Sequence, residues 1–586
     1  MNSAPSTPSF PARISLAAAV LLCVLPFLQP YHRFPLTSFY SEWLAFACGL
    51  GVLAVLLERR VWINAELPWT ALPLFGLAGL AIIHGVAGWS PYFGQALLGA
   101  LYLVWAGLLI IAARALLRSC GIEAVCAAVA AGLAAGALFS AVIGLIQHYN
   151  LATPLNPYIT RLHSTAIFGN LAQPNHFAAQ VTLGLFSVAH LHSRGRLPLG
   201  AAAVLVLPLL FVLGLSGSRS VWLYLLAGFV VALRLRLAGD DPRARQLFVW
   251  SGLFIILHYL LQVCAGLGWF APPQRETVTA VERLFSGAAS VSDRIGLWRA
   301  ALAITVEHPV TGVGWGAFAG QYFQYLAASG GLAPAGLYNN VHNLPLQLLA
   351  ETGVIGAALL LLPAGWGLLR ALKARPDSAH WWLWATLGVF AIHSLLEYPL
   401  WYAYFLGIAA LLLGLCPSPA LQPRLARFGR AVAASALLVG AANLAFLWSD
   451  YRVFEGAVRP TMAQLRDPGF VSTILRIHGN ALLTPYVELS MVMPLPANRD
   501  DLQRRLALNE RVIRFTPQPV LVYRQALLLA LAGRVAEARS LLDAARLAYP
   551  SAPAGFEQRL AQLAEEQPAS FGPLLESAHS GPRPPQ

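Results

Sequence analysis

The stretch "ISLAAAVLLCVLPFLQP", residues 14–30, decides the fold. It is uncharged and apolar, and two meanings compete for it: a cleavable secretory leader or a retained membrane span. The rest of the chain chooses between them. Twelve more apolar runs follow, each near the roughly 20 residues that a bilayer crossing needs. The first run is therefore expected to be the first of thirteen retained spans, near 12–30, 40–57, 68–84, 92–117, 122–148, 174–192, 197–214, 218–238, 247–267, 343–369, 380–397, 399–416 and 430–449. The expected fold is an all-α polytopic membrane protein, because helices pair their own backbone groups where no water can.

Composition agrees. The chain has 586 residues, 57% hydrophobic and 11% charged. Its six cysteines, at 23, 48, 120, 126, 264 and 416, all fall in or beside spans, so they read as small apolar packers and not as a disulfide framework. The net charge of +13 invites a nucleic-acid reading, but its distribution argues against one. Basic residues gather in alternate connections: Arg59 and Arg60, Arg114 and Arg118, Arg194 and Arg196. The series continues through Arg234–Arg245, Arg370–Arg375 and Arg424–Arg430, while the short intervening connections hold only Arg33, Arg161 and Arg219. That is the positive-inside pattern. It places the N-terminus in the cytoplasm and the C-terminal tail outside.

Four segments then share the outer face: 149–173, the turn at 215–219, the loop 268–342 and the turn at 397–398. They hold the unusual polar residues. In "GNLAQPNHFAAQ" (169–180), Pro174 suits a first helical turn, with Gln173 just before it and Asn175 and His176 inside. A polar interfacial cap is the bland alternative. Arg219, in "LSGSRSVWL" (215–223), either snorkels to the interface or meets an anion. In "YNNVHNLPLQLLAETG" (338–353), Asn343 or Leu344 caps a helix and leaves His342 on its lip, as a structural residue or a chemical one. In "HSLLEYPLWYAYF" (393–405), His393 and Glu397 share a helical face, Tyr398 follows, and Pro399 starts another helix. Spans six, ten and twelve all aim their N-termini outward, and such ends favour anions. Together with arginines they would make a receptor for a lipid phosphate, if these turns meet in space.

The long loop is expected to carry an amphipathic helix, "DRIGLWRAALAITVEH" (293–308), lying on the membrane surface. "GVGWGAF" (312–318) lacks the strand–loop–helix setting of a nucleotide cradle. Trp298, Trp315, Tyr322, Tyr325 and Tyr338 offer flat faces for sugar rings or anchors for the interface. Glu351, about two turns into span ten, is expected to be paired inside the bundle.

The stretches "GNLAQPNHFA", "SGSRSVWL", "DRIGLWRAALAITVEHPVTGVGWGAF", "HNLPLQLLAETGVIG" and "HSLLEYPLWYAYFLG" resemble the bacterial general protein O-oligosaccharyltransferases of the PglL type, in the O-antigen ligase and polymerase superfamily. The resemblance covers about residues 10–450, and the tail fits the family's extra C-terminal region. It implies a glycosyltransferase that moves a glycan from undecaprenyl diphosphate to serine or threonine of periplasmic, often pilin-like, proteins. By motif match His342 is the essential histidine, and Gln173 and Tyr398 are the glutamine and tyrosine of functional importance. Arg219 and Arg294 resemble the arginines that engage lipid diphosphate, and Asn175 joins the substrate-contacting set.

The chemistry agrees. A glycosyl diphosphate carries its own leaving group, so the protein must hold negative charge and activate a weakly acidic hydroxyl. Arginines and helix ends can do the first, and an imidazole the second. No aspartate cluster in the outer loops offers a divalent-metal site, so neither metal nor other cofactor is expected. An O-antigen ligase using a lipid A core sugar, a glycan polymerase and a lipid or sugar transporter remain alternatives. The transporter predicts repeats and midplane polar groups; here the polar groups gather at one face.

The composition changes at 449, dividing a transmembrane domain (1–449) from a tail (450–586) with thirteen acidic and fifteen basic residues. "YRQALLLALAGRVAEARSLLDAARLAYP" (523–550) reads as two amphipathic helices joined at "AGR", like one tetratricopeptide unit. One such unit cannot bury its face alone, so it must pack on neighbours in 451–515. The tail would dock an acceptor or brace the outer loop, and its end, "HSGPRPPQ", is expected to be disordered.

Overall fold

The structure is a computed structural model. It describes residues 8–63, 65–162, 166–271, 288–329, 338–375, 377–426, 428–458, 461, 463–549, 552–553 and 555–580. The expectation of a disordered end therefore falls, for 581–586, outside the described residues, as does much of the loop 268–342. The chain is an all-α, multi-spanning membrane protein. Nine helices among the described residues are long and apolar enough to cross a bilayer: Phe10–Leu28, Phe39–Leu57, Trp69–Val86, Phe93–Cys120, Ile122–Tyr149, Ser220–Ala238, Pro242–Gly266, Leu344–Lys373 and Gly429–Ala457. The other four expected spans are also helical, but shorter or more polar: Pro174–Ser193, Leu199–Leu215, Trp381–Leu396 and Ala403–Leu415. Pro399 opens only a short 3₁₀ turn, Pro399–Trp401, and the α-helix begins at Ala403. One two-residue antiparallel ribbon joins Leu67–Pro68 to Ala420–Leu421. The chain forms two compact units.

The first unit comprises residues 1–75, 102–288 and 363–448. Helix Pro174–Ser193 is its centre, buried on nearly every side. That position explains its composition. A helix surrounded by protein need not be apolar, because neighbouring helices satisfy its polar groups. Thr182 and Ser187 donate back to Ala178 and Leu183 carbonyls at 2.7 Å each, Trp382 Nε1 donates to Ser187 Oγ at 2.9 Å, and His190 stacks on Trp382. Small residues allow the closest approach: a Cβ on Gly184 would stand 2.1 Å from that of Ala137. The basic connections are tied down as well. Arg114 pairs with Glu66 at 2.9 Å and donates to the Ser418 carbonyl at 2.8 Å, beside the ribbon. Arg234 donates to the carbonyls of Ala371, Leu372 and Ala374 at the end of helix Leu344–Lys373.

The second unit comprises residues 76–101, 289–362 and 449–586. Its tail helices, including Leu502–Phe515, Pro519–Leu531, Val535–Ala548, Phe556–Glu566 and Pro568–Ser580, share one hydrophobic core with the long loop. Leu297, Ala301 and Ile304 of helix Ala288–Glu307, and Phe318, Tyr322 and Leu326 of helix Phe318–Ala328, are buried in the cluster that contains Leu506, Leu527, Leu542, Leu560 and Phe571. Helix Ala288–Glu307 thus packs one stripe, Leu297, Ala300, Ala301 and Ile304, against protein, while Ile295, Leu302 and Val306 stay exposed on another. Tyr322 is fully buried and stacked on Phe318, so it offers no face to a sugar. The two helices joined at Ala532–Arg534 form, with Gly533 left-handed at the turn.

Candidate functional site

In the first unit, three turns that lie far apart in sequence are joined by one side chain. Asn175, in the first turn of helix Pro174–Ser193, donates from Nδ2 to Glu397 Oε1 at 2.8 Å. Its Oδ1 accepts from Ser218 Oγ at 2.8 Å. Ser218 precedes Arg219, the N-cap of helix Ser220–Ala238, and Glu397 precedes Tyr398. The structure thus gathers Asn175, the Arg219 turn and the Tyr398 turn, with Gln173 two residues from Asn175. Gln173 is the N-cap, its side-chain oxygen accepting from the His176 N–H at 2.6 Å. The polar-cap alternative therefore describes what Gln173 Oε1 does.

Glu397 and His393 do not act as a helical pair. Glu397 caps helix Trp381–Leu396 in extended backbone and turns to Asn175, whereas His393 Nδ1 is bonded to the Tyr224 hydroxyl. His176 sits among rings, 5.3 Å from His393, 4.9 Å from Tyr402 and 6.2 Å from Tyr398. Burial, reinforced by the neighbouring Glu397 carboxylate, pushes the Tyr398 phenol above its ordinary range. At neutral pH it is a hydrogen-bond donor. Sequence reasoning missed Glu42 altogether. This carboxylate accepts from the Ala403 N–H at 2.6 Å and the Tyr102 hydroxyl at 3.0 Å, capping the helix that follows Tyr398. Its partner lies 361 residues away, so no local signal pointed to it.

In the second unit, His342 stands at φ 54°, in the left-handed region that residues other than glycine adopt uncommonly. Its neighbours on both sides are fixed. The Val341 N–H donates to Gln347 Oε1 at 2.7 Å, and Asn343 caps the helix by accepting from Leu346 N at 3.2 Å. Of the two expected caps, Asn343 serves. Tyr338 meets the imidazole edge-on, with centroids 5.7 Å apart. Arg294 lies partly buried on helix Ala288–Glu307.

The helix below His342 breaks at Gly353, with φ 60° and ψ −165°. Segment 309–314 splints the break. Val313 and Gly314 donate to the Ala350 and Glu351 carbonyls, while Val354 and Ile355 donate to Pro309 and Val310. Four backbone groups that lose helical partners are thus satisfied across the gap. The same bonds occupy the N–H groups at 313 and 314, which agrees with rejecting 312–318 as a phosphate cradle. Glu351, 5% exposed, accepts from the Phe318 N–H at 3.3 Å and from the Gly316 backbone. It is held by hydrogen bonds, as its position required. Among the described residues no three His, Cys, Asp or Glu side chains gather as a metal set.

A many-span helical membrane protein with polar and aromatic side chains concentrated at helix starts is the class that fold and site define. The chain is similar, in two separate stretches and along most of its length, to proteins of the O-antigen ligase and oligosaccharyltransferase superfamily. A family model described as "O-Antigen ligase" matches residues 177–361, which hold Arg219, Arg294 and His342. Another, "Virulence factor membrane-bound polymerase, C-terminal", matches 381–564, which hold Tyr398 and most of the tail. A general O-oligosaccharyltransferase of Acinetobacter baylyi is 26% identical over 524 residues, 88% of this chain and 89% of that protein. A ComP-specific O-oligosaccharyltransferase of the same organism is 25% identical over 237 residues, 40% of this chain and 41% of its own length.

Proposed function

We propose that the chain transfers an oligosaccharide en bloc from undecaprenyl diphosphate to serine or threonine of periplasmic, pilin-like proteins, at the periplasmic face of the bacterial inner membrane. The observation that carries this reading is the junction of Asn175, Ser218 and Glu397, which supports Arg219 and Tyr398 as parts of one donor site. The match to a general O-oligosaccharyltransferase along most of both chains favours a protein acceptor.

His342 takes the proton of the acceptor hydroxyl as that oxygen attacks the anomeric carbon. The bond from that carbon to the diphosphate oxygen breaks, and undecaprenyl diphosphate leaves with the electron pair. Arg219 and Arg294 hold the diphosphate charge through charge-assisted hydrogen bonds. Tyr398 donates its phenol O–H to a sugar or phosphate oxygen, and Gln173 its amide N–H groups. The transfer uses neither metal nor other cofactor. The orientation follows the basic connections: N-terminus cytoplasmic, with residues 450–586 forming a periplasmic, tetratricopeptide-like helical domain beside the transmembrane domain 1–449. Helices Pro174–Ser193, Leu199–Leu215, Trp381–Leu396 and Ala403–Leu415 complete the thirteen spans.

The match of 177–361 to the O-antigen ligase model favours one second reading, in which a lipid A core sugar is the acceptor. Mass spectrometry of secreted proteins from strains with and without the gene separates the two. Loss of glycan from a pilin-like peptide supports protein glycosylation, and loss only from lipopolysaccharide supports the ligase. Within either reading, Arg219→Ala raises the donor KM roughly 10- to 100-fold, the equivalent of one charged hydrogen bond at about 1.5–3 kcal/mol. An unchanged donor KM removes Arg219 from the site.

A further inference from the structure

We infer that Asn175 and Glu397 are positioning residues, a carboxylate–amide–hydroxyl chain that sets the Arg219 turn against the Tyr398 turn. The inference rests on the reading that Arg219 holds the lipid diphosphate. Three observations carry it. First, both ends of the chain are nearly dry, Glu397 being 4% exposed and Ser218 2%, with Asn175 half-buried between them. Both polar ends of the Asn175 amide are committed to protein partners, one donating to Glu397 and one accepting from Ser218. Asn175 therefore links its two neighbours through both ends of one amide.

Second, Glu397 stands where a helix least favours it. A carboxylate at a C-terminus faces the negative end of the macrodipole, and a buried one is costly unless hydrogen-bonded. Its backbone has already left the helix, at φ −148° and ψ −168°, so no helical geometry forces the side chain toward Asn175. The bond to Asn175 compensates part of that cost. Third, the turn it holds is built to be rigid. Gly217 is left-handed at φ 60°, Ser216 Oγ donates to the Leu213 carbonyl at 2.8 Å, and the Ser218 N–H donates to Ser216 Oγ at 3.3 Å. Such a turn moves as a body, so releasing Ser218 from Asn175 shifts the Arg219 guanidinium with it.

The test uses full-length protein in nanodiscs, an undecaprenyl-diphosphate-linked oligosaccharide as donor and a serine-containing pilin peptide as acceptor. Arg219→Ala, Asn175→Ala, Glu397→Leu, Glu397→Gln and Ser218→Ala are compared for donor KM, acceptor KM and kcat. The expected result is a donor KM raised about tenfold by Asn175→Ala and Glu397→Leu, with kcat and acceptor KM within about twofold of wild type. Glu397→Gln keeps an oxygen for the Asn175 amide and is expected to restore the donor KM. Asn175→Ala combined with Ser218→Ala is expected to match Asn175→Ala alone, since both break one chain. An unchanged donor KM in Asn175→Ala and Glu397→Leu, while Arg219→Ala raises it, overturns the inference and leaves the proposed function standing. An unchanged KM in Arg219→Ala overturns the diphosphate reading itself. If Glu397→Leu does not accumulate, Ser218→Ala, which removes one oxygen, carries the same comparison: a raised donor KM supports the chain and an unchanged one sinks it.

Discussion

His342→Ala is expected to abolish glycan transfer while the protein still reaches the membrane in normal amount. General-base catalysis contributes about 10²–10⁴-fold, and an alcohol acceptor without it is a poor nucleophile at neutral pH. The fold survives because the imidazole is only partly buried and its neighbours are fixed by other atoms, Gln347 Oε1 on one side and the Asn343 cap on the other. Alanine at φ 54° keeps the backbone strain that histidine already bears, so the variant isolates the ring. His342→Gly is the matched control, since it relieves the strain and also lacks the ring. Both are expected to be inactive toward a pilin peptide, with thermal midpoints within a few degrees of wild type. An active glycine variant would assign the residue to backbone shape, and an active alanine variant would remove it from the reaction.

Gly353→Val has the largest expected effect on stability. The φ 60°, ψ −165° conformation is essentially confined to glycine, and strain there is about 1–3 kcal/mol. A Cβ would also stand 2.3 Å from the Val310 carbonyl oxygen, a backbone atom held by the splint. Gly312, across the gap at φ 68°, would place a Cβ 2.3 Å from the Glu351 carbonyl carbon. With the overpacking added, the cost is about 3 kcal/mol or more, seen as a lower unfolding midpoint in detergent and reduced membrane accumulation. Gly365→Ala, in the same helix with open space around it, is the contrast and is expected to be neutral or mildly stabilising. Equal behaviour of the two variants would mean that the break is not under steric control.

Hydropathy made the membrane architecture legible, because lipid demands long apolar helices wherever protein does not intervene. It works least directly at Pro174–Ser193, where protein surrounds the helix and polar residues are satisfied by neighbours. Caps were legible for a local reason: Gln173 and Asn343 sit within three residues of the N–H groups they serve. The junction at Asn175 was not, since its partners lie 43 and 222 residues away. The pairing of His393 with Glu397 was misdirected by ideal helical spacing, because the helix ends one residue before Glu397. Gly353 in "AETGV" looks like an ordinary helical glycine until the segment at 309–314 is laid across it. The partners that the tail helices find in the loop could not be read from composition.

The core shared by 297–326 and 506–574 has a consequence for biosynthesis. A ribosome releases the loop's greasy side long before the residues that will cover it have been made, with four further apolar helices still to be made in between. Chaperone demand should therefore peak at that stage, and a nascent chain arrested before residue 506 would hold the loop unfinished and prone to proteolysis.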